Sequence, residues 1–133
     1  MWGDLIMPMN DKDRVFYKLC QHCTSIMDGW IPYPSTIIAD TTGWKLSYVR
    51  KLLRELKQEG LIESELYVDN GEERPILVRG YVVTEKGRKT ELYKVAHEIE
   101  RKICKECFDV DIGDVETHWK ILEEGFEVHL NDL

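Results

Sequence analysis

The chain has 133 residues, 43% hydrophobic and 32% charged, with a formal net charge of −7. These values indicate one globular domain with short appendages and exclude disorder over most of the length. No apolar run approaches the ~20 residues of a membrane span. The opening "MWGDLIMPMN" lacks the basic leader of a secretory signal, so a cytoplasmic address is expected.

In chain order, residues 1–9 read as an arm that packs Trp2, Leu5 and Ile6. Asn10 caps a first helix with Asp11 and Asp13 in its first turn, where acidic groups suit the helix dipole. Val15, Phe16, Leu19, Cys20, Cys23, Ile26 and Met27 recur at threes and fours on its apolar face, and Asp28-Gly29 stops it. "WIPYP" is extended, because residues before proline avoid the helical region. Ser35 caps a short second helix ending near Gly43. A third helix runs from about Lys45 to Glu59 and buries Leu46, Val49, Leu52, Leu53 and Leu56. At roughly 100° per residue, Ser47, Lys51, Arg54 and Gln58 then lie opposite, with Tyr48 and Arg50 on the flanks.

Gly60 ends that helix, and "LIESELYV" and "ILVRGYVV" read as two strands of a hairpin around "DNGEERP". Thr84 caps a long fourth helix through about Cys107, with Leu92, Ala96, Ile99, Ile103 and Cys107 on one side. The domain proper is therefore 10–107, and 108–133 is an acidic appendage. Within it a short helix is expected from about Asp114 to Glu124, followed by an extended "FEVHL".

A short second helix feeding a longer third through a glycine turn is a helix-turn-helix. Ala39 is small where the two helices cross, Gly43 supplies a turn that a Cβ resists, and Trp44, Val49 and Leu52 pack the third helix back. Residues 34–56 resemble the helix-turn-helix of winged-helix regulators through Ile38, Ala39, Gly43, Trp44, Val49 and Leu52. "YVVTEKGRKTE" resembles the segment by which the second wing strand of MarR- and PadR-like proteins enters the next helix. "LKQEGLIE" is similar to a recognition helix meeting the first wing strand, and the whole resemblance covers 11–107. It implies an α+β winged-helix fold and a DNA-binding transcription regulator, commonly dimeric, with the third helix in the major groove. Two features depart from the family: the wing tip "DNGEER" is acidic, and Lys45 stands where many relatives place a Ser or Thr cap.

The charge is segregated. Residues 43–59 hold five Lys/Arg against two Asp/Glu, whereas 108–133 hold one against eight, so the average charge is a poor guide to partners. The expected DNA-binding residues are Lys45, Ser47, Tyr48, Arg50, Lys51 and Arg54, with Arg74 and Arg79 from the wing. Arginine can grip guanine bidentately and lysine pairs with phosphate. The alternative is an ordinary solvated face.

Four cysteines form two C-x-x-C pairs, Cys20/Cys23 and Cys104/Cys107. Four thiolates would suit tetrahedral zinc. The reading preferred here is no metal: helical spacing places Cys20, Cys23 and Cys107 on apolar faces, with Cys104 at the flank. "HEIER" lacks the second histidine of a zinc-protease helix, and neither a Gly-rich phosphate loop nor a nucleophile elbow occurs. The chain is not expected to be an enzyme or to need a cofactor.

The fourth helix carries an apolar face that either pairs with a second copy, the homodimer expected here, or is covered by the arm and tail. The acidic tail reads either as a packed appendage whose charges face water or as a segment that docks a protein partner or competes with DNA for the basic helix. Two further roles stand beside transcriptional regulation. One is a phage or mobile-element replication accessory protein; the other is a winged helix used for protein–protein contact.

Overall fold

Helix formation begins at a reciprocal cap. Asn10 Oδ1 accepts from the Asp13 N–H at 2.8 Å while the Asn10 N–H donates to Asp13 Oδ2, which satisfies two of the free donors at the start of α1 (Asp11–Cys23). The computed structural model describes residues 9–25, 29, 31–70 and 74–131, the side chains of 70 and 125–131 excepted. Within these residues the chain is α+β, with six helices and one antiparallel two-stranded hairpin. None of the helices is long and apolar enough to cross a membrane.

The apolar stripe of α1 buries Val15, Phe16, Leu19, Cys20 and Cys23 in the common core. Thr24 closes the helix, its N–H bonded to Cys20 O and its hydroxyl donating to Gln21 O. The expected continuation through Ile26 and Met27 to Asp28 lies outside the described residues, as do the arm residues Trp2, Leu5 and Ile6.

After an extended 31–34, α2 (Ser35–Thr42) leads to α3 (Leu46–Gln58). Ser35 is not the cap expected of it: Pro34 holds that position in extended conformation, and Ser35 is the first helical residue. A proline there commits the preceding backbone to the extended region, which moves the helix start by one residue. Gly43 takes φ +74°, the left-handed conformation that ends α2, and its N–H closes on Ala39 O at 2.9 Å. The Thr42 hydroxyl accepts from the Trp44 N–H, which turns the chain into α3. There Val49, Leu52, Leu53 and Leu56 are buried as the spacing predicts, with Leu46 half-buried.

The hairpin pairs β1 (Ile62–Asn70) with β2 (Pro75–Val83), in register from Ile62 opposite Val83 to Asn70 opposite Pro75. Its tip, residues 71–73, lies outside the described residues. The other edge of β2 takes one backbone partner, Tyr33, which exchanges two 2.9 Å hydrogen bonds with Tyr81. Pro32 crosses so close to Gly80 that an added Cβ would stand 2.5 Å from the proline ring and 2.6 Å from its carbonyl carbon, and this explains the glycine.

The long helix expected to start at Thr84 is two helices. Thr84 caps only α4 (Glu85–Arg88), accepting from the Gly87 N–H and donating to Gly60 O. Thr90 then bonds back to Gly87 O and accepts from the Tyr93 N–H, which starts α5 (Glu91–Phe108). Each threonine hydroxyl offers the backbone a local alternative to continuing the helix. The break rotates the buried face. Tyr93, Ala96, His97 and Cys104 are buried, Leu92 and Ile99 are half-buried, and Ile103 and Cys107 are exposed. Cys104 and Cys107 therefore exchange the places expected for them.

Asp109, at φ +53°, ends α5, and Asp111 anchors the linker by taking two hydrogen bonds from Arg101 at 2.7 and 3.1 Å. α6 (Val115–Asn131) starts where Asp114 accepts from the Thr117 N–H. It runs through the segment expected to be extended. Gly125 inside a helix costs only about 1 kcal/mol relative to alanine, so one glycine does not stop it. α6 meets α5 where His118 faces His97, with ring centroids 5.3 Å apart, and meets α4 where Arg88 lies 4.0 Å over the Trp119 ring.

Candidate nucleic-acid interface

The polar side of α3 opens to solvent because its leucines and Val49 face the core. Ser47, Tyr48, Arg50, Lys51 and Arg54 are all exposed on it, Lys45 is exposed at its N-cap, and Arg74 and Arg79 are exposed on the hairpin. No side chain caps the start of α3, so the free N–H groups of its first turn add positive potential beside Lys45.

The ion pairs mark this surface off from the rest. Lys12, Arg14, Arg88, Lys89, Lys94, Arg101 and Lys105 each reach a carboxylate within 4.0 Å. Among the described residues, none of the cations of α3 and the hairpin, Lys45, Arg50, Lys51, Arg54, Lys57, Arg74 and Arg79, reaches one; elsewhere only Lys18, Lys86, Lys102 and Lys120 share that state. A set of cations left unneutralised on one side of an acidic chain is an electrostatic footprint for a polyanion.

The two flanks of α3 differ. Toward α1, the Tyr48 hydroxyl donates to Asp11 Oδ2 at 2.6 Å, its ring meets Trp44 edge-on at 5.8 Å, and Lys12 pairs with Glu59 at 2.8 Å. The hydrogen bond to the Asp11 carboxylate raises the Tyr48 pKa. Tyr48 is thus exposed, but its hydroxyl is already engaged on the acidic flank. Toward the hairpin, Lys57 Nζ and Arg79 Nη1 both donate to Ser64 Oγ, at 3.1 and 3.2 Å. Arg50 and Arg79 line one cleft of about 470 Å³ between β2, α3 and the start of α2. Arg74, at the tip end of β2, is not among the residues lining it. Lys57 is the residue that sequence reasoning missed. The available signal was its place two turns after Arg50, on the same side of the helix.

Cys20 and Cys23 lie on α1, and Cys104 and Cys107 on α5. Among the described residues no three His, Cys, Asp or Glu side chains are grouped to hold a metal ion. Burial, then the neighbouring Cys23, pushes the Cys20 thiol well above its ordinary pKa. Burial, then Glu100, raises Cys104, whose Sγ donates to Glu100 Oε1 at 3.5 Å. Metal ligation needs thiolates, and both environments favour the thiol. Cys20 and Cys23 serve as small core residues instead.

No protein-family model, no curated protein and no solved structure matches the chain.

Proposed function

We propose that the chain is a winged-helix protein that binds duplex DNA, with α3 as recognition helix, and that it acts as a transcriptional regulator. The element order α1–α2–α3–β1–β2 supports the fold, with α2, the Gly43 turn and α3 as the helix-turn-helix and β1–β2 as the wing. The observation that carries the function is the clustering on α3 of Arg50, Lys51, Arg54 and Lys57, none with a carboxylate partner among the described residues, while most cations off α3 and the hairpin are paired. Ser47, Lys51 and Arg54 face the bases of the major groove. Lys45, Arg50, Lys57 and Arg79 hold phosphates on either side, and Tyr48 contributes contact area with its hydroxyl kept on Asp11.

A second copy completes this reading. Ile103 is 45% exposed, and Phe108 and Val110 continue an apolar surface from half-buried Ile99. A two-fold pairing along α5 would set two recognition helices about 34 Å apart, one turn of duplex. Titration into a labelled mixed-sequence duplex, followed by anisotropy at low and at physiological salt, tests the function. Binding that weakens steeply with salt supports it. No binding even at low salt would leave the protein-contact reading in its place. The exposed apolar side chains of the outer hairpin, Leu66, Val68, Ile76 and Leu77, favour that second reading.

A further inference from the structure

Among the described residues, the outer edge of β2 is open for two residues. Tyr81 exchanges both backbone hydrogen bonds with Tyr33, so its N–H and C=O point away from β1. Backbone groups alternate sides along a strand, so Arg79, Leu77 and Pro75 turn theirs to the same outer edge. Pro75 has no N–H to offer, and Tyr33 is followed by Pro34 and the first turn of α2, so the chain leaves the edge where Arg79 begins. Among the described residues, no backbone group outside the hairpin meets the N–H or C=O of Leu77 or Arg79.

The Arg50–Arg79 cleft lies beside this edge, with Pro34, Thr36, Leu77 and Tyr81 among its walls. Leu77, 66% exposed, Arg79 and half-buried Tyr81 share one face of the hairpin because they alternate along β2. Among the described residues, two guanidiniums without a carboxylate, an exposed leucine and two main-chain N–H and C=O pairs without a backbone partner thus converge.

We propose that this edge binds an extended peptide segment of a partner protein. The segment adds a short strand against Leu77 and Arg79, presents an Asp or Glu to Arg50 and Arg79, and lays an aliphatic side chain two positions away on Leu77. Main-chain bonds of this kind hold a strand, and alternate side chains select it. Duplex DNA offers neither the amide ladder nor an apolar contact for Leu77. A second copy joined β2 to β2 would bring Arg74 and Arg79 of both chains together, so charge selects an acidic segment.

The test uses the full chain without DNA. A display library of random linear octapeptides is selected on it, and the strongest binder is synthesised. The expected consensus has an Asp or Glu two positions from an aliphatic residue. The bound peptide should shift the amide resonances of Leu77 and Arg79, and Arg50→Ala should weaken it about tenfold, the usual scale of a charge-assisted pair. Leu77→Pro, which deletes an outward N–H and spares the hairpin ladder, should abolish binding. Methylating alternate amides of the peptide asks the same question with the protein unaltered. No consensus, shifts confined to other elements, or binding indifferent to methylation would overturn the proposal. Concentration-dependent shifts of Leu77 and Arg79 without peptide would give the edge to a second copy and overturn it equally.

Discussion

Lys51 and Arg101 are both cations on helices, yet Arg101 is held by Asp111 at 2.7 Å while Lys51 meets no carboxylate among the described residues. That difference separates a cation held in the fold from one left open to solvent, on which the proposed recognition role of Lys51 rests. The sequence places Tyr48 among the expected DNA-binding residues, because its position on α3 alone puts it at the flank of the polar face. Its bond to Asp11 crosses 37 residues of chain, and helical spacing cannot register it. Tyr48→Phe should therefore leave DNA affinity within about twofold, a change near the resolution of such titrations, while lowering the thermal midpoint by loosening α3 from α1. A tenfold loss of affinity in the same titration would show that the Tyr48 hydroxyl reaches the DNA instead. Gly43 was legible because a turn between two amphipathic helices needs a left-handed residue. No atom lies within 4 Å of the Cβ an alanine would add there, so the cost of Gly43→Ala is conformational alone. Urea unfolding should show a loss of about 1–2 kcal/mol, and Gly43→Asn should lose less. Equal losses would mean that packing, not backbone conformation, fixes the glycine.

At the scale of elements, the α1 cap, the buried face of α3 and the two strands could be read locally, because each depends on near neighbours in sequence. The division at Thr90 could not, since Thr84 is an equally good cap and periodicity runs through both. Once α5 starts six residues later, its buried face turns from Ile103 toward Cys104. The buried His97–His118 pair was likewise invisible, because it joins two helices across a linker. His97 Nε2 bonds to Gly113 O at 2.8 Å, which leaves His97 Nδ1 and both His118 nitrogens buried without a hydrogen-bond partner among the described residues. Burial first, and His97 second, push the His118 pKa down to about 4 from an ordinary 6.5. A histidine so depressed binds its proton more readily in the unfolded chain. The contribution of neutral His118 is thus complete above about 6.5 and declines as pH falls toward 4. The Trp119 indole resonance, set by Arg88 above its ring, should report α6 loosening over that window, and His118→Leu should remove the transition. An unchanged transition in that variant would place its cause elsewhere.

For the whole molecule, the arrangement of charge matters more than its sum. Apart from Asp132, which lies outside the described residues, the acidic residues after Phe108 lie on α6 and the linker before it, which meet α4 and α5 through Arg88, His97 and Arg101. Acid thus collects at that end while the cations of α3 and the hairpin stay unpaired. Sedimentation equilibrium should show a dimer that Ile103→Glu dissociates, since a charge buried at an apolar two-fold contact is uncompensated. A dimer indifferent to that change would place the contact elsewhere. Removing 108–133 should raise DNA affinity if the acidic end competes for α3, and an unchanged affinity at low salt would exclude that role. The most direct measurement is the salt dependence of duplex binding for the native chain and two double variants, Arg50→Ala/Lys57→Ala and Lys94→Ala/Lys105→Ala. Each lost phosphate contact should lower the log–log slope by about one. The α3 variant should therefore lose slope and affinity while the α5 variant, whose lysines already hold Glu91 and Asp109, keeps both. Equal losses in the two variants would contradict the account, because the chain would then be responding to net charge and not to the open face of α3.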